Sequence, residues 1–165
     1  MGGCFSRGYC TKDAVSNGRI GGLSSGIRDS VTSFVNAAES ELGVQLRVSQ
    51  GHRTDAEEDA LYAQGRSTAG LIVTNARGGQ SNHNFGLAID VVAMNRDGSV
   101  NWGFDMSSVA PIAQRFGLSW GGNWARFPDY PHFENTYGLS PSQMQSLRPR
   151  GTLYPIIPNA AHWKN

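Results

Sequence analysis

The sequence predicts a small α+β domain in which a few helices flank an antiparallel sheet. Apolar residues recur at helical spacing in one early segment and alternate with polar residues in a short segment after it. Glycine is abundant, with 21 residues among 165, which favours many turns and short elements over a helical bundle. A chain of this length can bury a sizeable core as one domain.

The elements of the first third follow from local patterns. Residues 1–24 are rich in glycine and are predicted to form an irregular leader. The segment that begins at Ser25 is predicted to form an amphipathic helix ending at Gly43. A half-buried strand from Val44 to Ser49 is expected next, because apolar and polar residues alternate there.

The middle of the chain carries a helix, a loop and a strand. Thr54 and Glu57 form a capping-box pattern, which predicts the start of a second helix. The polar, glycine-rich residues 66–86 are predicted to form a loop. The apolar run from Leu87 to Val92 is typical of a buried strand, and Asn95 to Gly98 of a hairpin turn.

The last third contains shorter elements. A third helix is predicted from Asp105 to Phe116, although Pro111 is tolerable only near its first turn. Residues 118–120 and 132–134 are candidate short strands, and a serine–proline pair at 140–141 predicts a final helix. The expected organisation is a leader over 1–24, a domain over 25–148 and a surface tail over 149–165.

Composition and charge exclude several classes of partner. The formal net charge is +1, so no electrostatic argument favours nucleic acid or a membrane surface. No membrane-spanning helix and no ordinary signal peptide are expected. Cys4 and Cys10 are interpreted as peripheral, because a disulfide between them would close only a short loop and no further ligand completes a metal set.

One candidate site lies on the predicted strand from Leu87 to Val92. Asp90 would be costly to bury there unless it were paired or bound to a cation. His83 precedes it by seven residues, and the flexible Gly86 between them would let the chain bring the imidazole over the same face. Taken alone, this pair also fits a turn-capping aspartate and a surface histidine.

A second candidate group, Asp129 and His132, lies in a loop rich in aromatic residues, with Glu134 close behind. Pro128 and Pro131 exclude a regular helix here. Together the two motifs offer imidazoles and carboxylates that suit a catalytic zinc site with an open position and a nearby base. A buried, hydrogen-bonded histidine in an aromatic core is the alternative.

These motifs together resemble a known family. Residues 73–90, residues 119–124 and residues 129–132 are similar to bacterial and phage L-alanyl-D-glutamate endopeptidases, which are zinc peptidases of the D-Ala-D-Ala carboxypeptidase (VanY-type) family. The resemblance covers roughly residues 26–137. It implies a hedgehog/D-Ala-D-Ala-peptidase-like fold and cleavage of the stem peptide of peptidoglycan.

The resemblance implies a role for each matching position. The expected Zn²⁺ ligands are His83, Asp90 and His132. Asp129 would be the general base, Arg53 would steady the scissile carbonyl as it gains negative charge, and Ser81 would lie near the substrate.

Two of these residues also have simpler explanations, and one position departs from the family. Arg53 could be a surface arginine paired with Asp55 or Glu57, and Ser81 a plain turn serine. Glu58 stands where relatives commonly have glutamine, so substrate contacts there are expected to differ. Glu134 is expected to be structural, and His52 and His162 lack ligand-like neighbours.

The expected activity is zinc-dependent hydrolysis of the L-Ala–D-Glu bond. The alternatives are a D-Ala–D-Ala carboxypeptidase and an inactive zinc-bearing binding module. The peptidoglycan stem peptide would be the partner, without nucleic acid or membrane insertion, and a monomer is expected; an inhibitor or immunity protein is left open. The substrate lies in the periplasm or cell wall, so the protein would be released by phage lysis, injected as a toxin or cut from a longer precursor.

Overall fold

The computed structural model describes residues 10–152 and 154–155. These residues form five α-helices and a four-stranded antiparallel sheet, so the predicted α+β class is confirmed. The helices are α1 (Ala14–Gly21), α2 (Ser25–Leu42), α3 (Asp55–Ala63), α4 (Ala110–Arg115) and α5 (Pro141–Leu147). The strands are β1 (Gln45–Gln50), β2 (Ala88–Met94), β3 (Ser119–Trp120) and β4 (His132–Glu134).

The sheet separates the core from a polar face. Its order is β1-β2-β4-β3, so β2 and β4 are central. Successive side chains on a strand point to opposite faces, and Ile89, Val91 and Ala93 of β2 lie in the core. Asp90 and Val92 face the other way, as the alternation predicts, and line a cleft.

Helix α2 closes the core. Its buried stripe of Ile27, Val31, Phe34, Val35 and Ala38 has the predicted helical spacing. The helix is followed by Gly43 in the left-handed conformation, with φ 66°, as expected for a glycine that ends a helix. The predicted capping box of α3 is present, and α5 begins with a capping box at the predicted serine–proline pair.

The expectation of an irregular leader is wrong over residues 14–21, which form α1. The Asp13 carboxylate accepts a hydrogen bond from the Ser16 amide at 2.9 Å and so caps this helix. Ile20 is buried in the same core as α2. A helix of eight residues whose strongly apolar side chains are only Val15 and Ile20 carries too weak a periodicity to be predicted from the sequence.

The predicted third helix is also shorter than expected. Residues 106–108 form a separate 3₁₀ helix, and α4 begins only at Ala110. The reason is Pro111, which lacks an amide hydrogen and is therefore tolerated in the first turn of an α-helix but not in its interior.

The flanks of the domain are only partly described. Cys10 is disulfide-bonded, while Cys4 and His162 lie outside the described residues. The Tyr154 hydroxyl donates to the Gly22 carbonyl, and its ring packs edge-on against His52 at 5.4 Å between ring centroids. Within the described part of the chain, no helix has the length and apolar character to cross a membrane.

Candidate metal centre and catalytic cleft

Two of the three predicted metal ligands are neighbours across the sheet. Asp90 of β2 pairs directly with His132 of β4, and paired residues on antiparallel strands project to the same face. The Pro131 carbonyl accepts a hydrogen bond from the Val91 amide at 2.9 Å. Pro131 therefore leads the chain directly into this pairing.

The third predicted ligand, His83, comes from a 3₁₀ turn beside the sheet. The turn spans Asn82–Phe85, and the Ser81 side chain caps it by accepting from the His83 amide. Gly86 ends the turn with φ 66°. A Cβ at Gly86 would lie 2.7 Å from the Ser24 nitrogen, so only glycine allows the chain to bend back here.

The three side chains converge on one point. The His83 Nε2 and His132 Nδ1 atoms lie 3.3 Å and 3.4 Å from Asp90 Oδ1. The two ring nitrogens are 3.3 Å apart. The Asp90 Oδ1 atom is buried, yet it has no hydrogen bond of acceptable geometry to any described residue. A buried carboxylate oxygen and two imidazole nitrogens pointing at one another form a donor set that fits a divalent cation.

Each imidazole is held from outside by its other nitrogen. His83 Nδ1 lies 2.8 Å from the Gly51 carbonyl oxygen, and His132 Nε2 lies 2.8 Å from Glu134 Oε2. Asn82 donates to the same Glu134 oxygen at 2.8 Å. These outer acceptors take the ring N–H, so the inward nitrogens of both rings are left to bind a cation. Glu134 is therefore structural, as expected.

The acidic and basic groups of the cluster shift one another's pKa values. Burial alone would lower the pKa of His132, but its hydrogen bond to Glu134 and the negative charges of Glu134 and Asp90 outweigh burial and raise the pKa to about 9. Burial alone would raise the pKa of Asp90, but the two imidazoles hold it below its usual range. In the absence of a cation, a proton on His132 thus occupies the position between this ring and Asp90. A cation that binds there has to displace that proton.

Arg53 lies beside this cluster and is not a surface residue. Its Nη1 atom donates to Glu58 Oε2 at 2.7 Å, and its Nη2 atom lies 3.8 Å from Asp90 Oδ2. Glu58 is fully buried, and its other oxygen accepts from the Thr74 hydroxyl at 2.9 Å. The alternative that Arg53 pairs with a surface acid is therefore wrong. Its guanidinium is held by Glu58, the position at which relatives commonly have glutamine.

Asp129 lines the same cleft from the loop before β4. Desolvation raises the pKa of its carboxyl, and the nearby negative charge of Asp90 raises it further. Its backbone is fixed at both polar atoms: the Asp129 amide donates to the Gly121 carbonyl at 3.0 Å, and the His132 amide donates to the Asp129 carbonyl at 3.2 Å.

The cleft around these residues has a volume of about 1090 Å³. Ser81, Arg53 and Asp129 all line it with the three candidate ligands, so the structure brings every predicted site residue to one place. Its rim carries exposed apolar side chains whose position at the cleft the sequence did not predict. These are Ile72, Val73, Trp102, Trp124 and Phe127.

Comparisons with known proteins agree with this geometry. The D-alanyl-D-alanine carboxypeptidase family matches residues 74–135, which contain the three candidate ligands and Asp129. The peptidoglycan L-alanyl-D-glutamate endopeptidase CwlK of Bacillus subtilis is 44% identical over 110 residues. That match covers 61% of this chain and 66% of the relative.

Two solved structures share the fold. The L-Ala D-Glu endopeptidase ChiX of Serratia marcescens has a TM-score of 0.56 at 28% identity, over 75% of this chain and 88% of its own. A vancomycin-resistance D,D-pentapeptidase VanY from a VanB-type cassette, solved in complex with Zn(II), has a TM-score of 0.53 at 17% identity, over 87% of this chain and 84% of its own. Residues 74–135 of the chain thus match the D-alanyl-D-alanine carboxypeptidase family of peptidases.

Proposed function

We propose that this protein is a zinc-dependent peptidase that cleaves the L-Ala–D-Glu bond in the stem peptide of peptidoglycan. The observation that carries the proposal is the buried Asp90 oxygen with no hydrogen bond, faced by two imidazole nitrogens whose outer positions are already occupied. Relatives that match it, CwlK and ChiX, are named for this cleavage.

The residues divide the chemistry among them. His83, Asp90 and His132 would hold Zn²⁺, and zinc, when bound, supplies a Lewis acid that lowers the pKa of water to near neutrality. Asp129 takes a proton from the water as its oxygen attacks the carbonyl carbon, and it passes that proton to the amine as the C–N bond breaks. A raised pKa suits a carboxylate that both accepts and returns a proton.

Arg53 supplies the second positive charge of the site. Its guanidinium lies 3.8 Å from Asp90 and is held by Glu58, so its position is set before substrate arrives. A fixed donor aimed at the scissile carbonyl stabilises the negative charge that develops on its oxygen. Ser81 lines the cleft nearby, and its hydroxyl already caps the turn that carries His83.

The shape of the cleft favours an endopeptidase. Its lining continues past Asp90 to Val92 and Val100 on one side and to Asn82 and Glu134 on the other. A chain that extends in both directions from the scissile bond therefore finds a surface on each side. A carboxypeptidase acting on D-Ala–D-Ala, for which the family is named, would instead have to grip a terminal carboxylate.

We propose that the protein works as a monomer in the periplasm or cell wall. The cleft is formed by residues of one chain, so we expect a monomer to be competent. Its polymer substrate lies in the periplasm or cell wall, and release by phage lysis or delivery as an antibacterial toxin would bring it there. Size-exclusion chromatography with light scattering tests the first expectation.

The decisive experiment is digestion of purified peptidoglycan with and without a chelator, analysed by liquid chromatography and mass spectrometry. New chelator-sensitive fragments that begin at D-Glu would support the proposal. Loss of a terminal D-Ala alone would assign a carboxypeptidase instead. No new fragment from protein that carries bound zinc would indicate a binding module.

A further inference from the structure

A second groove adjoins the catalytic cleft at Trp124. It has a volume of about 710 Å³ and is lined by residues of α4, β3 and the 3₁₀ turn Gly121–Asn123. Trp120 and Trp124 form its aromatic part, and Gln114 and Asn123 bring amide side chains. None of the described residues that line it is charged. The catalytic cleft, in contrast, is lined by several arginines and carboxylates.

The groove and the catalytic cleft share a thin wall. Trp124 lines both, and its ring lies 4.9 Å from that of His132 between centroids. A Cβ at Gly121 would lie 2.7 Å from the Asp129 carbonyl oxygen, and one at Gly122 would lie 2.2 Å from the Trp120 ring. Because Gly121 and Gly122 have no side chains, Asp129 and Trp120 both pack directly against the backbone of this turn. A ligand bound to Trp120 would therefore be separated from Asp129 only by that backbone.

The aromatic surface of the groove is held in place. The Trp120 indole donates its N–H to the Tyr130 carbonyl at 2.7 Å, and the two rings pack at 6.0 Å between centroids. A ring fixed in this way loses little conformational freedom when a ligand packs against it. The Gln114 and Asn123 amides, by contrast, make no hydrogen bond to other described residues in the structure and are exposed to solvent.

We propose that this groove binds the glycan strand of peptidoglycan while the stem peptide occupies the catalytic cleft. The proposal rests on the proposed function, because that function names the polymer. In peptidoglycan, L-Ala is joined by an amide to the lactyl group of N-acetylmuramic acid, so a single residue separates the sugar from the L-Ala–D-Glu bond. A ligand cut at that bond must therefore place its sugar close to the wall of the cleft.

The chemistry of the two parts of the substrate matches the two grooves. The glycan is uncharged once its lactyl carboxyl is amidated, and it carries hydroxyl and acetamido groups that hydrogen-bond to amide side chains. The C–H face of a pyranose ring packs against the electron-rich face of an indole. The carboxylates of the stem peptide match instead the cleft that contains Arg53.

The test is a titration of the isotopically labelled protein with an oligosaccharide of alternating N-acetylglucosamine and N-acetylmuramic acid that carries no stem peptide and whose lactyl carboxyls are converted to simple amides. Amide and indole resonances are followed by ¹H–¹⁵N NMR. We expect the indole signals of Trp120 and Trp124 to shift. Gln114→Ala and Asn123→Ala should each weaken binding about five- to tenfold, the effect of one lost hydrogen bond.

Gln45→Ala, at an exposed glutamine of β1 outside both grooves, is the matched control and should bind like the wild type. Shifts confined to the catalytic cleft, no shift at millimolar sugar, or equal affinity in all variants would overturn the proposal. Sugar binding requires neither metal nor hydrolysis. A protein that binds the glycan without cutting the peptide would thus contradict the proposed function alone, and one that cuts without binding would contradict this inference alone.

Discussion

Asp129 and Arg53 lie beside the three candidate metal ligands but are not ligands themselves. The ligand atoms of His83, Asp90 and His132 all lie within 4.8 Å of one another, whereas Asp129 approaches from the rim of the cleft. Metal binding and proton transfer should therefore be separable by substitution.

For Asp129→Ala we expect about one zinc ion per chain and a rate of stem-peptide hydrolysis reduced about 10²–10⁴-fold, because general-base catalysis contributes this much. Metal analysis and product quantification give the two readouts. His83→Ala is the matched comparison and should lose the metal itself. Full activity in Asp129→Ala would show that the assigned base is wrong.

Glu58 offers a second prediction at this scale. Glu58→Ala leaves the Arg53 guanidinium, whose side chain is only 14% exposed, without its principal partner. Removing one member of a buried ion pair costs about 3–5 kcal/mol, which urea unfolding would measure. Glu58→Gln keeps an acceptor for Arg53 and should cost much less. Equal losses in the two variants would contradict this account.

The sequence predicts some of these residue roles and not others. The ligand positions are predictable only through the family resemblance, because the spacing of His83 and Asp90 alone also fits a turn-capping aspartate and a surface histidine. Glu58 looks locally like a solvent-exposed glutamate, since α3 also contains Asp55, Glu57 and Asp59. Only the packing of α3 against the loop containing Thr74 shows that Glu58 is buried.

At the scale of single elements, helix α1 depends on one carboxylate. Asp13 accepts hydrogen bonds from the Ser16 hydroxyl at 2.7 Å and from Arg47 Nη2 at 2.8 Å. Burial alone would raise the pKa of Asp13, but the hydrogen bonds from Arg47 and Ser16 outweigh it, so the pKa is lowered in the folded protein. The charge of Asp13 thus stabilises α1 against β1.

This arrangement predicts a pH-dependent stability. A lowered folded-state pKa contributes stability above the unfolded value, about 3.9, and the contribution is lost as the pH falls through the folded value. Asp13→Asn should therefore cost about 1–3 kcal/mol at pH 7, with the difference from wild type shrinking below about pH 4. Urea unfolding at both pH values measures this. Asp29→Asn, at an exposed position of α2, should change neither value.

Elements with strong local signals were predictable, and elements that depend on partners were not. Helix α2 has an apolar stripe and a terminal glycine, and α3 and α5 have capping boxes. Helix α1 has only a short pattern, and its stability comes from Arg47, which lies on another element. Strand β3 has two residues, so its existence depends on pairing with β4.

For the molecule as a whole, the sheet determines where the site forms. The pairing of Asp90 with His132 requires that β2 and β4 be neighbours in the order β1-β2-β4-β3, although α4 and β3 lie between them along the chain. No local pattern specifies that register. The family resemblance predicted that Asp90 and His132 lie together, because a shared fold implies the same pairing of strands.

The structure predicts that metal removal leaves the fold intact. The candidate ligands are held by Gly51, Glu134 and the capped 3₁₀ turn rather than by a cation. After chelation we expect an unchanged far-ultraviolet circular dichroism spectrum and cooperative unfolding. The free energy of unfolding should fall by up to about 4 kcal/mol. This is the stabilisation that a bound ion provides when its free concentration is about a thousand times its Kd. Loss of secondary structure on chelation would contradict this.

The opposite orientation of the two imidazoles has a spectroscopic consequence. With a cation in place, His83 would retain its hydrogen on Nδ1 and His132 on Nε2, because those are the nitrogens that face Gly51 and Glu134. The two rings would then be different tautomers, and their nitrogen chemical shifts would differ in pattern. Loading the centre would also convert His132 from imidazolium to neutral ring. A single long-range ¹H–¹⁵N spectrum could thus identify each histidine and report occupancy without any substitution.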